Sequence, residues 1–131
     1  MKEFLFYIFY YDFCYYFLHR LLHTRFFYQI HKFHHKKIKI DYYDYYSVHI
    51  LEIPITSLGL LLAIYLHNLY TYQLICSIIF INIRGIMIHD NRFTFIVGDH
   101  HLIHHKYLKY NYGEIWLDYI FGTHYDNKLL K

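Results

Sequence analysis

Histidine spacing constrains this chain more than any other feature. Thirteen of its 131 residues are histidine, and nine of these fall into three short groups. The groups are His19-Arg-Leu-Leu-His23, His31-Lys-Phe-His34-His35 and His100-His101-Leu-Ile-His104-His105. On a helix, positions i, i+3 and i+4 share one face, so each group projects two or three imidazoles in one direction. At this histidine content the pattern His-x-x-His-His is expected about 0.1 times by chance in such a chain, and it occurs twice. Eight or nine imidazoles exceed the four ligands of a structural tetrahedral site, which points to two metal ions close together.

Ligand chemistry narrows the choice of metal. The chain has no His-Glu-x-x-His, which excludes the zincin proteases, and no Glu-x-x-His, which excludes the soluble ferritin-like carboxylate sites. Neutral imidazole suits iron, zinc, copper and nickel. Two adjacent redox metals suit O2 activation and attack on a lipid C–H bond, whereas two zincs suit hydrolysis. The residues alone leave iron and zinc both open.

The rest of the chain is apolar in long runs. Hydrophobic residues make up 56% and aromatics 24%, which excludes intrinsic disorder. A net charge of +3 is too weak a bias for nucleic-acid binding, and the aromatics sit in apolar runs rather than in a basic groove. Cys14 and Cys76 lie inside apolar segments and form no disulfide framework. Residues 4–18 form an apolar helix broken only by Asp12, beginning without the basic start of a signal peptide. Residues 20–41 are polar and basic, and a Tyr/Asp stretch follows to Tyr46. Ile53–Leu66 and Leu69–Ile88 read as a membrane hairpin over about 47–88, joined by the polar link His67-Asn68, though the first clean run falls short of the roughly twenty residues of a span. Basic residues on both flanks put that end of the hairpin toward the cytoplasm. A soluble all-helical core is the alternative, kept open by a mean hydropathy of only +0.11. The reading is one domain over 1–131: an all-α integral membrane helical domain with a cytosolic, histidine-rich di-metal cap.

With these residues in view the chain resembles the membrane fatty acid hydroxylase / sterol desaturase superfamily. The resemblance runs from about Tyr11 to Tyr125. It includes Asp12 and Tyr16 ahead of the first histidine group, then the second group, then His49-Ile-Leu-Glu52, which looks like the family's His-Pro-x-Glu with Ile in place of Pro. It continues through His89-Asp-Asn91 and the third group to Asn111-Tyr-Gly113, Trp116-Leu-Asp118 and Phe121-Gly-Thr123. Trp116 and Asp118 are separated by Leu117, where many members have them adjacent.

The resemblance implies a non-haem enzyme with two iron ions, zinc being the substitute, that uses O2 to hydroxylate or desaturate a fatty acyl, sphingoid or sterol substrate. It implies a separate electron donor, either a b-type cytochrome or a reductase, and the endoplasmic reticulum membrane in a eukaryotic cell. A homo-oligomer and a metal-binding but inactive short member are further readings, as is a di-zinc membrane hydrolase. The expected metal ligands are His19, His23, His31, His34, His35, His89, His101, His104 and His105, with His49 an additional candidate. His100 points away from the His101/His104/His105 face and is read as a neighbour. Asp12 is expected to hydrogen-bond a box histidine, because an unpaired charge on an apolar helix is costly. Asn91, Asn111 and Asp118 are the other expected supports, and Arg84 is expected to snorkel toward the interface.

Overall fold

The computed structural model of the chain describes residues 2–67 and 72–125. Three long helices carry it: α1 (Lys2–Leu22), α3 (Glu52–His67) and α4 (Tyr72–Ile88). Between α1 and α3 run the short α2 (Tyr28–His31) and two 3₁₀ turns, His34–Lys36 and Tyr42–Tyr46. After α4 come a 3₁₀ turn at Asn91–Phe93, then α5 (Thr94–Val97), α6 (His100–Tyr107) and α7 (Ile115–Ile120). No strand occurs among the described residues, as the sequence led one to expect. Of the expected link His67-Asn68, α3 includes His67, while Asn68 lies outside the described residues.

Local chemistry sets these boundaries. Pro54 sits in the first turn of α3, where its missing N–H has no intrahelical partner to lose. Asp41 caps the Tyr42–Tyr46 turn reciprocally with Asp44: each side chain accepts a backbone N–H at 2.9 Å. Lys37 holds Asp44 from outside at 2.8 Å. Asp90 caps the Asn91–Phe93 turn by accepting from the Arg92 N–H. Gly98 closes α5 at φ 77°, a conformation that costs glycine little.

α1 packs against both α3 and α4. Tyr7, Ala63 and Leu74 form the apolar core of this bundle, with Tyr10, Leu60 and Ile64 around them. The approach of α1 to α3 depends on Gly59, where an added Cβ would lie 2.4 Å from the Cys14 Cβ. Gly59→Ala is therefore expected to push the two helices apart and cost about 1–3 kcal/mol, read as a lowered melting temperature of the purified protein.

Beside this apolar core, the buried residues of the chain include Asp12, Glu52, Ser77 and seven histidines. Leu5, Phe9, Phe13, Phe17 and Leu21, spaced by four along α1, form an exposed apolar row, and Ile75, Ile79 and Ile83 form another on α4. Among the described residues, no single helix is long and apolar enough to cross a membrane, while α4 and the segment Asn91–Val97 pass together as a pair bent by 105°.

Candidate metal centre

Segments from the end of α1 to α6 contribute to one polar focus. The end of α1 supplies His19 and the turn beyond it His23; α2 supplies His31, and the 3₁₀ turn that follows supplies His34 and His35. His89 comes directly after α4, and α6 supplies His101, His104 and His105. The structure gathers these nine side chains into two adjoining groups. His19, His23, His31, His35 and His104 form one; His34, His89, His101 and His105 form the other. Within each group the ligand atoms lie within 4.8 Å of one another.

The two His-x-x-His-His motifs are divided between the groups in opposite senses. His31 and His35 enter the first group and His34 the second; His101 and His105 enter the second and His104 the first. The groups abut at His35 and His105, whose ring centroids are 4.4 Å apart.

Hydrogen bonds fix the tautomers. The Nδ1–H groups of His19, His104 and His89 donate to the carbonyls of Tyr112 (2.5 Å), Tyr110 (2.6 Å) and Gly85 (2.7 Å). His31 Nδ1 donates to Glu52 Oε1 at 2.7 Å. Each of these rings therefore presents a bare Nε2 lone pair to the centre. Those lone pairs face other imidazole nitrogens at short range: His19 to His31 at 2.9 Å, His89 to His34 at 3.0 Å and His104 to His35 at 3.2 Å.

Protons do not resolve this crowding. Burial, reinforced by the neighbouring imidazoles, pulls His34 down to about 3 and holds His101 and His104 well below the ordinary histidine range. Burial also pulls His89 down to about 4. Neutral rings with converging lone pairs repel one another unless a cation lies between them. The Nδ1 atom of His35 and both ring nitrogens of His105 are buried without a hydrogen-bond partner, which is anomalous for buried polar atoms. Two nitrogens bound about 2.1 Å from one metal at right angles lie about 3 Å apart, the separation seen here. The donor set fits imidazole-bound transition-metal ions, one per group.

The other expected residues fall elsewhere. His49 is outside both groups; its Nδ1 accepts from the Leu51 N–H at 3.2 Å. His100 donates to the Gly113 carbonyl at 2.7 Å and belongs to neither group. Asp12, expected against a box histidine, instead meets Arg84, which also reaches Glu114 at 3.1 Å. Arg84 accordingly does not snorkel, since a carboxylate on the adjacent helix α1 holds it inside. Asn91 is exposed. Asn111 and Asp118 are fully buried but brace backbone rather than imidazole.

Asp118 accepts from the N–H groups of Tyr112 and Gly113 and from the Thr123 hydroxyl. Asn111, at φ 57°, donates to the His100 carbonyl and accepts from the Tyr125 N–H. This clasp sets the carbonyls of Tyr110 and Tyr112, which in turn orient His104 and His19. Glu52 was missed as a support for the centre; its signal was its place at the start of an apolar run within the His49-Ile-Leu-Glu52 motif.

A cavity of about 390 Å³ opens beside the second group. His34 and His89 form part of its wall, with Glu52, Tyr15 and the apolar side chains of Ile53, Leu60, Ile78 and Ile81.

Comparison with known proteins gives the family. The profile of the fatty acid hydroxylase family matches residues 4–123, and the chain belongs to that family. Among curated proteins it is similar to the Delta(7)-sterol 5(6)-desaturase of Eremothecium gossypii, 34% identical over 118 residues, which is 86% of this chain and 34% of that protein. It is similar to Delta(7)-sterol 5(6)-desaturase erg31 of Schizosaccharomyces pombe, 35% identical over 79% of this chain and 36% of that protein. A third relative, Delta(7)-sterol 5(6)-desaturase ERG3A of Gibberella zeae, is 31% identical over 86% of this chain and 35% of that protein. The chain thus spans about a third of the length of these relatives. No solved structure is a significant match.

Proposed function

We propose that this chain is the metal-binding, substrate-oxidising domain of an O2-dependent lipid desaturase or hydroxylase that works at a membrane surface. The observation that carries the reading is the pair of buried, interleaved histidine groups. Two iron ions, when bound, supply the redox chemistry that lets O2 attack an unactivated C–H bond. Desaturation removes two hydrogens from adjacent carbons and hydroxylation inserts one oxygen atom. In either case two electrons come from a separate donor, a reductase or b-type cytochrome.

The chain's own residues perform the holding and aiming. Nine imidazoles fill the ligand positions, and three backbone carbonyls and Glu52 keep four of the rings in the Nδ1–H tautomer. The adjoining cavity, with His34 and His89 in its wall, supports the binding of a largely apolar substrate beside the histidines. The exposed apolar rows of α1 and α4 support a seat in lipid. The basic residues between Arg20 and Lys39 support a cytosolic orientation of the histidine cap. The names of the relatives point to a sterol as the substrate class.

The test is metal content and turnover measured together. Protein purified in detergent is expected to carry about two irons per chain after anaerobic reconstitution. Supplied with O2 and a reduced donor, it is expected to introduce a double bond or a hydroxyl into a sterol, read by mass spectrometry. A folded protein that takes up zinc alone and oxidises no lipid would overturn the proposal in favour of a hydrolytic or purely structural site.

A further inference from the structure

We infer that Glu52 reads the substrate: its free carboxylate oxygen hydrogen-bonds a hydroxyl that lies a few bonds from the carbon to be oxidised. This rests on the reading of the adjoining cavity as the seat of a lipid substrate.

Glu52 opens α3 and is only 4% exposed. One oxygen is committed, Oε1 taking the His31 Nδ1–H at 2.7 Å. The other, Oε2, is buried with no hydrogen-bond partner. Beyond His31 the carboxyl draws on the His49 backbone N–H, and an oxygen buried without a well-formed hydrogen bond costs free energy. A bound group that completes the carboxylate accounts for it.

The location says what that group is. Glu52 lines the same cavity as His34 and His89. It therefore touches one metal-binding group through His31 and shares a wall with the other. Ile53, Leu60, Ile78 and Ile81 give the rest of the wall a mainly apolar surface, interrupted by Tyr15, Tyr45, Ser57 and Asn82. An occupant has a largely apolar body, with a polar atom at the Glu52 end. A hydroxyl fits, because it both donates and accepts. A polar anchor this close to the centre also fixes which carbon is presented, since orientation within a bound pair decides where reaction occurs.

The experiment is equilibrium binding to the metal-loaded full chain in detergent, with cholesterol and cholest-5-ene as probes. They share one ring skeleton and differ in the hydroxyl. The unaltered protein is expected to prefer cholesterol by about tenfold or more, the size of a good hydrogen bond to a carboxylate. Glu52→Leu is expected to abolish the preference while still binding cholest-5-ene, which shows that the cavity is intact. Glu52→Gln keeps an acceptor for His31 and offers a neutral amide at the second position, so its preference is expected to fall by several-fold with metal content unchanged. Equal binding of the two probes by the unaltered protein would overturn the inference. So would an undiminished preference in Glu52→Gln, which also decides the matter should Glu52→Leu not fold. Lost iron chemistry with an intact hydroxyl preference would count against the proposed function alone; a lost preference with intact turnover would count against Glu52 alone.

Discussion

His35→Ala is expected to abolish stable metal binding and all lipid oxidation, with losses of at least a thousandfold in turnover. The His35 Nε2 lies 2.9 Å from His31, 3.1 Å from His23 and 3.2 Å from His104, so one side chain touches three other members of the five-histidine group. Its ring also abuts His105 of the second group. Removing it opens a gap in one group and unseats the contact between the two. His100→Ala and His49→Ala make the comparison sharp. Both residues belong to the histidine-rich stretches of the sequence, yet one bonds the Gly113 carbonyl and the other accepts from the Leu51 N–H. Both variants are expected to keep the full metal content. Elemental analysis of the three purified variants, with circular dichroism to show that each remains helical, reads the outcome. Metal retained by His35→Ala, or lost equally from all three, would contradict the division into groups.

Much of this centre was legible because metal ligation imposes spacing on sequence. A helix must repeat at three and four residues to turn several imidazoles one way, and that signature survives without any knowledge of the fold. The three long helices were legible for a related reason: apolar runs of this length have few alternatives. What the sequence did not carry was pairing across the chain. The opposite division of the two motifs depends on how α2 and α6 face each other, which no local spacing encodes. The support of the imidazoles was hidden for another reason. Three of the four orienting acceptors are backbone carbonyls, at Gly85, Tyr110 and Tyr112. A carbonyl is the same at every residue, so only the turn that aims it distinguishes it. Asp12 drew attention as the charged exception on an apolar helix, and that much was sound physics. Its partner stands 72 positions away on α4, where hydropathy shows a cation near the end of a run and nothing more.

The Asp12–Arg84 pair carries the second large effect. Both groups are mostly removed from solvent, with side-chain exposures of 8% and 18%. Arg84 uses two nitrogens on the Asp12 carboxylate and extends to Glu114, so a single residue of α4 secures α1 and the segment leading into α7. Breaking a buried pair from one side is far worse than replacing both members, because the survivor keeps its desolvation cost and loses its partner. Arg84→Met strands Asp12 among aromatic side chains and leaves Glu114 unpaired, and is expected to cost about 3–5 kcal/mol. Asp12→Leu leaves Arg84 with Glu114 and is expected to cost less. In the double variant no charge is left buried between the two helices, half-exposed Glu114 alone losing its partner, and much of the lost stability is expected to return. Denaturant unfolding of the four proteins closes the cycle and isolates the coupling between the two residues. Because the last turn of α1 carries His19 and α4 ends one residue before His89, a loosened interface moves one member of each histidine group. The Arg84→Met protein is accordingly expected to bind metal more weakly, although neither Asp12 nor Arg84 is a ligand. Additive single effects, with no recovery in the double variant, would show that the pair does not join the helices.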